Sequence, residues 1–100
     1  MDDDPEWRGL VFESAIGSHL LRMGEPIFYW REGDYEVDFV IDTERQVLGV
    51  EVKSGRRKRQ QSTIAYKKKF PAAQIIFLDW VSGASFLAQE PTLPNLLKLA

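Results

Sequence analysis

Two runs of alternating residues constrain this chain most: Tyr-Glu-Val-Asp-Phe-Val-Ile-Asp at 35–42 and Val-Leu-Gly-Val-Glu-Val-Lys-Ser at 47–54. A period of two is the signature of strands, whose side chains point alternately to opposite faces. The four residues between them, Thr43-Glu44-Arg45-Gln46, suit a hairpin loop. On the first strand Tyr35, Val37, Phe39 and Ile41 are expected to share an apolar face, with Glu36, Asp38 and Asp42 opposite. On the second, Leu48, Val50 and Val52 share one face, and Val47, Gly49, Glu51 and Lys53 take the other. Joining the runs through this loop sets Asp38 opposite Glu51 and Lys53 opposite Glu36. A slip of one residue would turn polar sets onto apolar ones.

Two carboxylates facing each other across a ladder repel unless a proton or cation lies between them. A hard divalent ion such as Mg²⁺ favours such a site, taking one or two carboxylates and completing its shell with water and phosphate. Lys53 adds a positive charge beside the pair.

The remaining segments supply layers for this hairpin. Residues 8–23 read as a helix that starts near Pro5 and is closed by Gly24. Phe12, Ile16, Leu20, Gly17, Met23, Leu10 and Leu21 fill one half of its wheel, and Ser14, Ser18, His19 and Arg22 most of the other. Glu13 falls inside the apolar half, where a carboxylate is costly unless paired or bound to a cation; it is either a snorkelling residue, an ion-pair partner, or a member of the acid site. Ile27 to Arg31 reads as a first strand turned by Glu32-Gly33-Asp34. A helix is expected from Arg59 to Phe70, ended by Pro71. Ala73 to Trp80 reads as a strand buried on both faces and parallel to a neighbour, because a helix precedes it. Ser82-Gly83 reads as a loop, Ser85 to Ala88 as a short edge strand, and Thr92 to Leu99 as a terminal helix. Trp30 and Trp80 are expected in the core, and His19 on the surface.

Length and composition fit one soluble domain over 1–100, with its core at about 8–80. Hydrophobic residues make up 44% and charged residues 28%, which excludes a disordered chain. No run is long enough to span a bilayer, so no membrane partner is expected, and Met1-Asp2-Asp3-Asp4 lacks a signal peptide's basic start. The absence of cysteine suits a reducing cytoplasm and excludes thiolate metal sites. A net charge of −2 argues against general coating of nucleic acid. Positive charge is instead concentrated in Arg56-Arg57-Lys58-Arg59, next to the Glu-x-Lys strand, and in Lys67-Lys68-Lys69, which reads as an exposed helix end.

The order α-β-β-β-α-β, an α/β (α+β-like) arrangement with a mixed central sheet flanked by helices, resembles the restriction-endonuclease-like core of the PD-(D/E)xK nuclease superfamily. The matching residues are Glu13 on the helix, Asp38 in Glu-Val-Asp-Phe-Val-Ile, and Glu51-Val52-Lys53 in Val-Glu-Val-Lys-Ser-Gly. Within that superfamily the chain is most similar to an uncharacterised C-terminal domain found behind AAA-type ATPase modules in bacteria and archaea. The likeness covers roughly residues 9 to 80. It implies a Mg²⁺- or Mn²⁺-dependent nuclease acting on nucleic acid, DNA first. Asp38, Glu51 and the Val52 carbonyl would hold the ion, with Glu13 completing the shell directly or through water. Lys53 would act on the attacking water or the phosphate. Arg56, Arg57, Lys58 and Arg59 would grip the phosphate backbone, and Gln60 or Gln61 would contact the site. It also implies an ATPase module in the same or another chain, and allows a homodimer. The ATPase's own Gly-x-x-x-x-Gly-Lys-Ser/Thr motif is missing from these residues. Two other readings stand beside the nuclease: a catalytically silent nuclease-fold module that holds a partner, and a structural domain with Glu36–Lys53 and Glu13–Arg pairs.

Overall fold

A computed structural model describes residues 4–53 and 60–100. The elements are α1 (Pro5–Leu21), β1 (Ile27–Glu32), β2 (Tyr35–Asp42), β3 (Val47–Val52), α2 (Gln60–Lys69), β4 (Gln74–Leu78), α3 (Trp80–Leu87) and α4 (Leu93–Leu97). They build a mixed four-stranded sheet in the order β1-β2-β3-β4, antiparallel except for the parallel β3–β4 pair. The expected order and mixed sheet are therefore present, with two further helices after β4. No helix among the described residues is long and apolar enough to cross a membrane.

The sheet carries a helical layer on each face. Phe12, Ile16 and Leu20 of α1 meet Ile41, Leu48, Val50, Val52, Ile76 and Leu78 from one face, with Phe86 of α3 and Leu96 of α4 closing that core. On the other face Tyr66 of α2 packs with Val37, Val40 and Ala73. Gly49 makes room for that ring: a Cβ there would lie 3.2 Å from Tyr66 Cε2 and 2.9 Å from Ile75 Cδ1. The crossover from β3 through α2 to β4 is what allows the two strands to run parallel.

Local chemistry sets the boundaries. Asp4 caps α1 by accepting the Glu6 N–H at 2.9 Å, with Pro5 in the first turn. The helix ends at Leu21, two residues short of the expected Met23, and Gly24 takes a left-handed φ of 83°. Leu10 and Leu21, placed on the apolar half of the wheel, are instead 46% and 68% exposed, outside the Phe12, Ile16 and Leu20 stripe that enters the core. Gly33, at φ 60°, makes the turn between β1 and β2.

Several expectations after α2 are corrected. The strand expected over Ala73 to Trp80 spans only Gln74–Leu78, and it is an edge strand with Phe77 43% exposed rather than buried on both faces. Asp79 ends it by capping a helix. Its carboxylate accepts from Val81 and Ser82 N–H while the Ser82 hydroxyl accepts from Asp79 N–H, a reciprocal capping box. The expected Ser82-Gly83 loop and the edge strand at Ser85 to Ala88 therefore belong to α3. There Gly83 lies so close under the Phe12 ring that any β-carbon would collide with it. Trp80 is 45% exposed rather than core, stacked on Phe12 with centroids 4.4 Å apart. The terminal helix is shorter than expected, Leu93–Leu97, with Thr92 as its cap.

Candidate functional site

The site lies where the β2–β3 ladder gives out. Pairing runs Asp42↔Val47, Ile41↔Leu48, Val40↔Gly49 and Phe39↔Val50, the register expected from the four-residue loop. Against β1, however, Phe28 pairs with Val40 while Trp30 pairs with Val37, so β2 carries an extra residue across Asp38 and Phe39. This bulge switches the alternation. Val37 and Val40 now face α2, and Phe39 and Ile41 face α1. The expected common face of Tyr35, Val37, Phe39 and Ile41 is thereby corrected, because an inserted residue turns the parity of everything before it. Phe39 is received beneath α1 at Gly17, where a β-carbon would come within 2.9 Å of its Cζ.

Beyond the bulge, side chains take over from the backbone ladder. The Asp38 N–H donates to Glu51 Oε1 at 2.8 Å, and the Val52 N–H donates to Asp38 Oδ2 at 2.9 Å. Each carboxylate thus holds the other's strand, and the two expected partners are brought together. Glu51 is nearly buried, 3% exposed, in a position where an unbonded carboxylate would be very costly. Glu51 and Lys53 lie on the α2 side of β3, because Val50 and Val52 point to the α1 core.

Lys53 goes elsewhere than expected. Its ammonium lies 4.6 Å from the centroid of the Phe77 ring, a cation–π contact. Glu51 is registered against Phe77 in the parallel pair, and the Lys53 N–H continues that ladder to the Leu78 carbonyl at 2.7 Å. The expected Glu36 partner is taken up otherwise: its carboxylate accepts from the Tyr29 hydroxyl at 2.6 Å. That bond, which is lost if the phenol ionises, pushes the Tyr29 pKa up. Phe77 escaped notice in the sequence because its run reads as continuously apolar. The signal was its parallel phase with Glu51.

Glu13 sits half-buried on α1, one turn before Gly17 on the same stripe. Among the described residues no three His, Cys, Asp or Glu side chains gather as a metal-holding group, so Glu13 does not join Asp38 and Glu51 in a ready cage. Arg56, Arg57, Lys58 and Arg59 lie outside the described residues, as do the side chains of Gln60 and Gln61. The lysines at the end of α2 are exposed as expected. Lys67 donates to the Ala73 carbonyl at 2.6 Å, and Lys69 pairs with Glu32 at 2.9 Å. His19, expected on the surface, is half-buried: its Nε2 is 2.8 Å from the Gln89 carbonyl and its ring meets Phe86 edge-on.

Comparison with curated proteins and with solved structures finds no match. A family profile does match, over residues 8–86, and it takes in most of the first helix, all four strands and the acid pair. The chain belongs to the family described as Domain of unknown function (DUF4143).

Proposed function

We propose that this domain is a metal-dependent phosphodiester hydrolase of the PD-(D/E)xK nuclease-like type. Its substrate is nucleic acid, DNA in the first instance, and it works in the cytoplasm beside an AAA-type ATPase module. The observation that carries the reading is the reciprocal bonding of Asp38 and Glu51, which holds two carboxylates side by side at a strand bulge. Bulges are enriched next to active sites because they re-aim a side chain. The ATPase association is typical of this family.

Two carboxylates fit a hard ion that takes its remaining ligands from water and phosphate better than they fit a closed protein cage. Asp38 and Glu51, with the Val52 carbonyl and with Glu13 directly or through water, would hold Mg²⁺ or Mn²⁺. The ion would polarise the phosphate and acidify a bound water. The chain's own residues do the rest. The Val52 and Asp38 N–H groups fix the carboxylates, so that little reorganisation is needed on binding. Lys53, exposed on its aromatic rest, either brings positive charge to the scissile phosphate and orients the attacking water or, as the neutral amine, deprotonates that water. Arg56 to Arg59, with Gln60 and Gln61, hold the phosphate backbone beyond the site, a salt-sensitive and sequence-independent contact.

One observation favours a catalytically silent module instead: Lys53 rests on Phe77. Thermal unfolding with Mg²⁺ or Mn²⁺, followed by cleavage assays on plasmid, single-stranded and branched DNA, separates the two. An ion at ten times its Kd stabilises by about 1.4 kcal/mol, or about 6–11 °C for a domain of this size. That shift should appear in the wild type and vanish in Asp38→Ala, and cleavage should vanish in Asp38→Ala and Lys53→Ala. Cleavage unchanged in both variants refutes the hydrolase. Nucleic-acid binding that survives Glu51→Gln, with no turnover under either metal, establishes the silent module.

A further inference from the structure

We infer that β1 is a pairing edge for a second copy of this chain, which adds its own β1 antiparallel and joins the two sheets into one. β1 lies at the end of the sheet, and among the described residues no strand pairs with its outer side. Edge strands with free N–H and C=O groups invite such pairing unless charge, proline or a bulge blunts them. Here the irregularity belongs to β2, and the six residues Ile-Phe-Tyr-Trp-Arg-Glu hold their only charges at one end.

The exposure pattern selects the kind of partner. Phe28 and Tyr29 are consecutive, so they point to opposite faces of the sheet, yet they are 56% and 58% exposed. A helix laid on the sheet covers one face only. A strand added in the plane reaches both. On the α2 face the same edge opens into an apolar cleft of about 230 Å³ floored by Phe28, Trp30, Val40 and Val47 and walled by Phe70. The cleft extends the apolar surface inward from the edge, within reach of an incoming strand's side chains.

The sequence of β1 then selects a second copy. A two-fold axis perpendicular to the sheet keeps facing residues on the same side, so the seam must be centred on a residue. Centred on Tyr29, it sets Tyr29 against itself on one face and Phe28 against Trp30 of the other copy on the opposite face. Aromatic cross-strand pairs of this kind are among the most favourable. Arg31 and Glu32 of the two copies fall at opposite ends of the seam, across from Ile27 and Pro26, so no like charges meet. The two Asp38–Glu51 pairs would then lie on the same side of one eight-stranded sheet.

The chain contains no cysteine, which gives a direct test. Facing residues in an antiparallel ladder have Cα atoms about 4.5–5.5 Å apart, inside the roughly 4.4–6.8 Å range of disulfides. Under mild oxidation Tyr29→Cys should cross-link to a dimer at least tenfold faster than Ile64→Cys, an equally exposed position on α2. The unmodified full chain should sediment as a dimer, and Phe28→Lys, with an unchanged circular dichroism spectrum, as a monomer. A wild type that stays monomeric at high micromolar concentration overturns the inference. So does a dimer in which Ile64→Cys cross-links as fast as Tyr29→Cys. None of these readouts depends on cleavage activity.

Discussion

Replacing Tyr66 with phenylalanine should stabilise this protein, although it deletes a hydroxyl from the core. Tyr66 is fully buried, its ring set edge-on to Trp30 at 5.2 Å and tilted against Phe70 at 5.1 Å. Among the described residues its hydroxyl has no hydrogen-bond partner. Leaving such a group buried and unbonded costs about 1–3 kcal/mol, and the void left by one oxygen gives back up to about 1 kcal/mol. Tyr66→Phe should therefore gain about 1 kcal/mol at neutral pH, a rise of about 4–8 °C in Tm for a domain of this length. Alkaline pH supplies an independent sign. Burial pushes the Tyr66 pKa up, so the unfolded chain releases this proton before the folded one does. The wild type accordingly keeps its full stability below the unfolded value of about 10 and loses it as pH rises from there towards the folded value. Phenylalanine loses nothing by this route, so the gap between the two proteins should widen above pH 10. Urea titrations at pH 7 and 10.5, read by far-UV circular dichroism, measure both effects. A loss of about 1 kcal/mol or more in the variant at pH 7 would refute the reasoning, because it would mean that the hydroxyl is bonded.

Other substitutions probe the site and its supports. Glu51→Ala removes the acceptor of the part-buried Asp38 N–H and should cost about 1–3 kcal/mol by urea denaturation. Glu51→Gln, whose amide oxygen can accept the same bond, should lose distinctly less. Gly17→Val forces α1 off the Phe39 ring and should cost about 1–3 kcal/mol, with Phe39→Leu in the same chain recovering part of it. Asp79→Ala removes the capping box of α3 and should lower Tm at pH 7. The Ser82 N–H holds the Asp79 carboxylate below its usual pKa, so that stabilisation is present above about pH 4 and is lost as pH falls through the folded value. The Tm gap between wild type and Asp79→Ala should therefore close in acid.

Much of this molecule is dictated locally. Alternation in 35–42 and 47–52, with a four-residue loop between, determines a hairpin and its register, because any slip would bury charge. That register is enough to pair Asp38 with Glu51. Apolar spacing in α1 and the glycines at 24 and 33 likewise mark their elements through short-range sterics. Tertiary packing decided the rest. The bulge at Asp38–Phe39 exists because Phe39 finds its place under Gly17 of a distant helix, and period-two reading has no means of anticipating an inserted residue. Trp80 and the segment after it become helix rather than strand because Asp79 and Ser82 cap one another and Gly83 fits beneath Phe12. Lys53 leans on Phe77 because the parallel register of β3 and β4, set by a crossover and not by either strand alone, brings that ring alongside. Residue chemistry and spacing thus placed the two acids. Which groups stand around them depended on contacts between segments far apart in the chain.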